Sequence, residues 1–381
     1  MSVTHARGFL AAGLEVGLKK SGGRDLAIVQ NVGPSKAAAV VFTGNRAQAN
    51  PIIWSKQVIA DGVVEAIILN SGGANCYTGS QGFQVTHATA EALGAKLGVS
   101  AGDILVCSTG LIGDQLPLDK IIAGIEDAEL TSGGGNAASE AILTTDTHAK
   151  VTLVERDGWS IGGMAKGAGM LAPGLATMLV VITTDADLPS GALDTALRAA
   201  TRVTFDRLDS DGCMSTNDQV TLLASGASGI VPSAEDFAAA VTDVCADLAQ
   251  QLQNDAEGAS HDIVIETVNA ATEDDAVEVG RAVARNNLFK AAVFGNDPNW
   301  GRVLAAIGTT KAPFDPYDVD VSMNGVMVCR SGEPGESRDL VDLTARRVHV
   351  LIDLKVGDAT ATILTNDLTH DYVHENSAYS S

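Results

Sequence analysis

The sequence predicts a mixed α/β or α+β fold with layered sheets. Short aliphatic runs closed by Gly, Asn or Asp recur along the whole chain, amphipathic helical patterns lie between some of them, and the two kinds do not alternate strictly as βαβ units. The runs at 38–42, 64–69, 104–107, 151–155, 178–183, 220–223, 263–268, 319–323 and 348–354 read as buried strands. The clearest helix is 235–252, where Phe237, Val241, Val244, Leu248 and Leu252 share one face and Ser233 with Asp236 forms a capping box. A second capping box, Thr272 with Asp275, opens a helix running to about Asn286; 84–97 and 192–203 are further helices. No heptad, repeat or low-complexity linker marks a domain boundary. The Gly-rich patch 131–135 is the best candidate hinge, and the Gly-rich stretch 162–174 the best candidate functional turn.

Composition narrows the function. At 381 residues the chain is long enough for two lobes or one large layered domain, and 45% apolar against 19% charged residues is a globular balance. A net charge of -22 repels phosphate backbones and anionic lipid, so neither nucleic acid nor a membrane surface is an expected partner. An anionic substrate would need a local cation, which draws attention to Lys166 beside Gly-rich turns. The five cysteines are widely spaced with no C-x-x-C pair, which fits a reducing compartment and gives no zinc site. Glu15 interrupts the short apolar run 8–14, and no stretch approaches a membrane span; a cytoplasmic protein is the expectation.

The chemistry concentrates in a few segments. Gly162-Gly-Met-Ala-Lys-Gly-Ala-Gly169 has neither Walker nor G-x-G-x-x-G spacing, so a nucleotide cradle is excluded. It continues as Lys166-Gly-Ala-Gly-Met-Leu-Ala-Pro-Gly-Leu-Ala-Thr177, which puts a threonine between a Gly/Pro loop and an apolar strand. If the Thr177 hydroxyl attacks the peptide bond before it, an N→O acyl shift and hydrolysis leave a free α-amine on Thr177. That amine titrates near about pH 8 and can accept the proton of its own hydroxyl, making a nucleophile without a histidine. A β-branched residue opening a strand is the plainer role.

Ser108-Thr109-Gly110 follows a strand and sets a hydroxyl beside an exposed N–H, the elements of an oxyanion hole; a strand-to-turn cap is the commoner use. Thr144-Thr-Asp146-Thr147 is a polar turn or a substrate-facing wall, and Asp255-Ala-Glu257-Gly-Ala259 presents a carboxylate among small residues. The Asn/Asp/Gly islands 70–75, 209–218 and 296–302 read as tight turns, and the second lacks calcium-loop spacing, so no metal is expected.

Taken together, the segments Lys166-Gly-Ala-Gly-Met-Leu-Ala-Pro…Ala176-Thr177, Thr144-Thr-Asp-Thr, Asp255-Ala-Glu-Gly-Ala, Asn296-Asp-Pro-Asn-Trp-Gly-Arg302 and Tyr372-Val-His-Glu-Asn376-Ser-Ala-Tyr-Ser-Ser381 resemble the ornithine acetyltransferase family of arginine biosynthesis, also called glutamate N-acetyltransferase. The resemblance runs from about Gly8 to Ser381. It implies a layered αββα fold in two lobes and self-cleavage between Ala176 and Thr177, giving an α piece, 1–176, and a β piece, 177–381. The pieces would assemble as a heterotetramer of two α and two β chains.

It further implies Thr177 as nucleophile, Thr109 and Gly110 as oxyanion hole, and Thr144, Lys166, Thr177, Glu257, Asn376 and Ser381 as substrate contacts. Lys166 suits a substrate carboxylate and Glu257 the δ-ammonium of ornithine. The implied reaction is ping-pong: acetyl passes from N2-acetylornithine to Thr177 and then to glutamate, with no cofactor. The resemblance leaves open acetyl-CoA as a second donor. Ser381 stands where threonine is frequent, and Asp255-Ala256 where Asp-Gly is common. The residues alone also admit a self-cleaving aminopeptidase or amidase, or an uncleaved small-ligand-binding protein.

Overall fold

In the computed structural model of the chain, which describes residues 2–172 and 178–378, the strands form three sheets. The first has four strands in the order Phe9–Leu14, Leu26–Asn31, Ala66–Asn70, Ile104–Ser108, with only the last pair parallel. The second has five, in the order Ala37–Phe42, Gln219–Ala224, Leu179–Thr184, Trp159–Lys166, Lys150–Arg156, again with one parallel pair, Leu179–Thr184 beside Gln219–Ala224. The third has six, with Asp262–Ala270 between Arg347–Asp353 and the edge strand Ala359–Asn366.

The layers follow from which face each side chain takes. Successive side chains on a strand point to opposite faces, so a sheet buried on both sides needs continuous apolar runs. In the second sheet Ile161, Val180, Ile182 and Leu222 pack against Leu193, Leu197, Phe237, Val241 and Leu248 of the helices Ser190–Val203 and Ala234–Asn254. Its opposite face, with Val40, Met164, Val181 and Leu223, packs on Val29, Ile67, Leu69 and Leu105 of the first sheet. The outer face of the first sheet, Ile28, Ile68 and Val106, is covered by Val85, Leu93, Ile121 and Ile125 from the helices Gly79–Leu97 and Leu118–Asp127. The result is a helix–sheet–sheet–helix sandwich, the expected αββα order. The third sheet and the helices Glu273–Ala284, Asn287–Phe294 and Trp300–Ile307 enclose a separate core, which makes the second lobe.

Every expected strand is present within two residues at either end, and the four expected helices are present. Strands containing Gly or Asn, such as Phe9–Leu14 and Trp159–Lys166, escape the sequence reading because neither residue favours a strand. The helix from Glu273 ends at Ala284; Asn286 then caps a new one, its side chain accepting from Phe289 N–H. Only half of each capping box forms. Ser233 accepts from Asp236 N–H at 3.1 Å, but the Asp236 carboxylate takes the Ser233 hydroxyl at 2.7 Å instead of its backbone N–H, and Thr272 with Asp275 does the same. Aspartate is one methylene too short for the full box.

Two glycine readings are corrected. The patch 131–135 is no hinge: Thr131 exchanges two backbone hydrogen bonds with Ala11, and a Cβ on Gly134 would lie 1.8 Å from Ala11 O. The stretch from Gly162 is not one turn. Gly162 and Gly163 lie inside the strand Trp159–Lys166, where a Cβ on Gly162 would meet Ser2 O at 2.2 Å; the turn begins at Gly167.

Candidate active site

The strand Ile104–Ser108 delivers Thr109 and Gly110 to the edge of the sandwich. Thr109 N–H donates to Asn70 O at 2.9 Å and its carbonyl accepts from Gly73 N–H at 2.9 Å, which ties the turn to the Asn70–Asn75 island. Asn217 locks it from the other side, donating to Ser108 O at 2.8 Å and Ala74 O at 2.6 Å. Gly110 has φ +127°, and a Cβ there would stand 2.8 Å from Gly73 N, so only glycine fits. No described residue accepts from the Gly110 N–H.

Lys166 ends its strand with its side chain 2% exposed. Its ammonium donates to Thr109 Oγ1 at 3.3 Å and lies 3.9 Å from Asp146 Oδ2. Burial pulls the Lys166 pKa below the ordinary lysine value, with Asp146 opposing that shift and Lys150 adding to it. Asp146 is enclosed as well. It bonds Lys150 Nζ at 2.7 Å and accepts from Gly167 N–H at 2.6 Å and Thr144 N–H at 3.1 Å. Burial works against its ionisation, but Lys166, Lys150 and the Gly167 N–H together hold its pKa at about 2.

Glu257 sits just past the helix Ala234–Asn254 in the turn closed by Gly258, where φ is +60° and a Cβ would meet Tyr372 N at 2.2 Å. Its N–H donates to Ala168 O at 3.0 Å. Its carboxylate accepts from Thr145 Oγ1 at 2.7 Å and from Asn376 Nδ2 at 2.9 Å, the latter on the C-terminal helix His370–Ser377. A Cβ on Gly169 would press within 2.6 Å of both carboxylate oxygens.

These segments close around one cavity of about 100 Å³. Thr109, Gly110, Thr144, Lys166, Glu257 and Asn376 all line it, although they come from five separate stretches of chain. Ala176, Thr177 and Ser381 lie outside the described residues. Thr145, Gly169 and Met170 also line the cavity, from the tracts read as a possible substrate-facing wall and functional turn, and the wall holds residues the sequence reading missed: Ile112, Ala74 and the hydroxyl and amide side chains of Ser215, Thr216 and Asn217. The island 209–218 looked like a turn because Asn, Asp and Ser favour turns; its only other signal was density of polar groups without a metal pattern. A wider recess of about 420 Å³ adjoins, sharing Thr145 and Glu257 and adding Arg346 and Glu375.

A hydroxyl, a lone N–H, a buried cation and a carboxylate thus face one small volume. Such a volume suits a compact molecule carrying both a carboxylate and an amino group, with donors placed for an oxyanion. Among the described residues no group of three or more His, Cys, Asp or Glu could hold a metal, and no helix is long and apolar enough to cross a membrane.

The ArgJ family model matches residues 10–381. The arginine biosynthesis bifunctional protein ArgJ of Streptomyces coelicolor is 64% identical over all of both chains, and that of Thermobifida fusca 58% over all of both. A solved structure of ornithine acetyltransferase complexed with ornithine, from Mycobacterium tuberculosis, is 49% identical and covers 47% of this chain and 96% of its own, with a TM-score of 0.45.

Proposed function

The chain belongs to the ArgJ family, and from that premise we propose that it is a self-cleaving ornithine acetyltransferase of arginine biosynthesis. The observation that carries this reading is the convergence of Thr109, Gly110, Thr144, Lys166, Glu257 and Asn376 on one cavity.

The chain cleaves itself before Thr177 into 1–176 and 177–381, which stay together as two α and two β chains in the cytoplasm. The Thr177 Oγ, its proton taken by the new α-amine, attacks the acetyl carbonyl of N2-acetylornithine. Thr109 Oγ1 and the Gly110 N–H hold the oxyanion, a pair each member of which is worth about 3–4 kcal/mol in the transition state. The tetrahedral adduct collapses, ornithine leaves with a proton on its amine, and the acetyl group stays as an ester on Thr177. Glutamate's amine then attacks that ester, giving N-acetylglutamate and restoring Thr177. Lys166 pairs with the α-carboxylate that both substrates share. Glu257, held by Thr145 and Asn376, takes the δ-ammonium of ornithine, and Thr144 and Ser381 complete the contacts.

Intact mass under denaturing conditions tests the covalent part. Wild type gives two fragments summing to the chain plus one water, and Thr177→Ala stays whole. A single uncut mass in active wild type rejects the mechanism. Acetyl transfer from N2-acetylornithine to glutamate, read against free acetate, separates a transferase from an amidase. The same assay with acetyl-CoA replacing N2-acetylornithine decides the second donor.

A further inference from the structure

Lys150 lies outside the cavity wall and has no exposed side chain, yet it joins both halves of the site. Its Nζ bonds Asp146 Oδ1 at 2.7 Å and Asp255 Oδ2 at 2.5 Å. Asp146 is the residue that faces Lys166 and takes the Thr144 N–H with its other oxygen. Asp255 is two residues from Glu257, and it also accepts the Thr147 N–H at 3.0 Å and the Thr147 hydroxyl. A continuous chain of ion pairs therefore runs from Lys166 through Asp146 and Lys150 to Asp255, which opens the turn that carries Glu257.

The geometry points to Lys150 as a positioning residue: a buried strut that fixes the span between the carboxylate-binding Lys166 and the ammonium-binding Glu257, and so selects the length of the diamino acid that fits between them. The inference rests on the substrate reading proposed above. Its reason lies in what else could hold that span. Two direct links join the walls: the backbone bond from Glu257 N–H to Ala168 O at 3.0 Å, which fixes the turn but not its carboxylate, and Thr145 to Glu257 at 2.7 Å, where an arriving substrate ammonium competes for that same carboxylate. Lys150, Asp146 and Asp255 do not line the cavity, although Asp255 borders the adjoining recess, so the bonds of Lys150 do not compete with a substrate held between Lys166 and Glu257. Stability alone gives little reason for the arrangement, because buried ion pairs are commonly matched or exceeded by apolar residues of similar volume. Enforcing one register is their better-attested use.

The test compares N2-acetylornithine with N2-acetyllysine, one methylene longer, and N2-acetyl-2,4-diaminobutyrate, one methylene shorter, as donors to glutamate. A well-held site discriminates against one methylene by about 10–200-fold in kcat/KM. The variant is Lys150→Met with Asp255→Asn, which removes one charge of each sign and leaves Asp146 facing Lys166. The expected result is a fall of about tenfold or more in the preference for N2-acetylornithine over both neighbours, with the fold intact by circular dichroism. Proportional slowing of all three donors at an unchanged ratio overturns the strut. If the double variant does not fold, Thr147→Val, at an exposed residue, removes the hydroxyl that donates to Asp255 and is the substitute: a smaller drop in the same ratio supports the inference, and an unmoved ratio rejects it. Failure of wild type to use N2-acetylornithine at all rejects the substrate reading instead, and the strut with it.

Discussion

Asp218 Oδ1 accepts the backbone N–H of Met178 at 3.0 Å, so a fully buried carboxyl anchors the second residue after the proposed cleavage point to the start of the neighbouring parallel strand. Burial pushes the Asp218 pKa well above the ordinary carboxylate value, with the Met178 N–H and Lys166 pulling the other way. Asp218→Asn keeps an acceptor and removes the buried acid, so its stability in urea should stay within about 1 kcal/mol of wild type. Asp218→Ala leaves the Met178 N–H unpaired and should cost about 1–3 kcal/mol. Equal losses in the two variants would show that the Met178 bond is not what Asp218 contributes.

Gly110→Ala combines a φ of +127° with a backbone atom 2.8 Å from the new Cβ. Strain of this kind costs on the order of 1–3 kcal/mol, and displacing an oxyanion donor costs about 10²–10³ in kcat. The pair of readouts is a denaturant midpoint and the rate of acetyl transfer. Full activity in this variant would rule Gly110 out of the proposed oxyanion hole.

The role proposed for Lys166 requires it to be cationic, and burial brings its deprotonation below the ordinary lysine value of 10.5. The kcat/KM for N2-acetylornithine should therefore fall on the alkaline side at a pH below 10.5. Lys166→Arg lowers the rate, since a guanidinium is not an ammonium in shape, but it should abolish that alkaline limb because its pKa exceeds about 12. A limb that survives in Lys166→Arg belongs to another group.

Asp146 titrates at about 2 against an ordinary value of 3.8, a depressed carboxyl. Its contribution to stability is fully present above 3.8 and is lost as pH falls through the window down to about 2, amounting to about 2 kcal/mol. Asp146→Asn should lower stability at neutral pH by at least about that much and flatten this part of the acid unfolding curve. An acid profile identical to wild type would exclude Asp146 as the group responsible.

The sequence by itself determined the strand runs, because an aliphatic run bounded by turn residues satisfies the backbone and buries its side chains wherever it lies in the fold. It determined the helix Ala234–Asn254 for a similar reason: Phe237, Val241, Val244, Leu248 and Leu252 recur at helical spacing and all face one core. The site residues were legible as types: a hydroxyl beside glycine at Thr109-Gly110, a lysine in a Gly-rich stretch, a carboxylate among small residues at Glu257. Their partnership was read only through the resemblance, since nothing local links Lys166 to Thr109, 57 positions away, or Thr145 to Glu257, 112 positions away. Only the tertiary structure decided those distances, through the sheet-on-sheet packing that lays the end of Ile104–Ser108 beside the end of Trp159–Lys166. It also decided what the glycines do. Gly134 and Gly162 are small because another backbone passes within 2.2 Å of where a Cβ would be, a steric fact set by neighbours remote in sequence. Lys150 was invisible for the same reason: its meaning comes from two carboxylates, one four residues away and one 105, that only the folded chain brings to a single nitrogen.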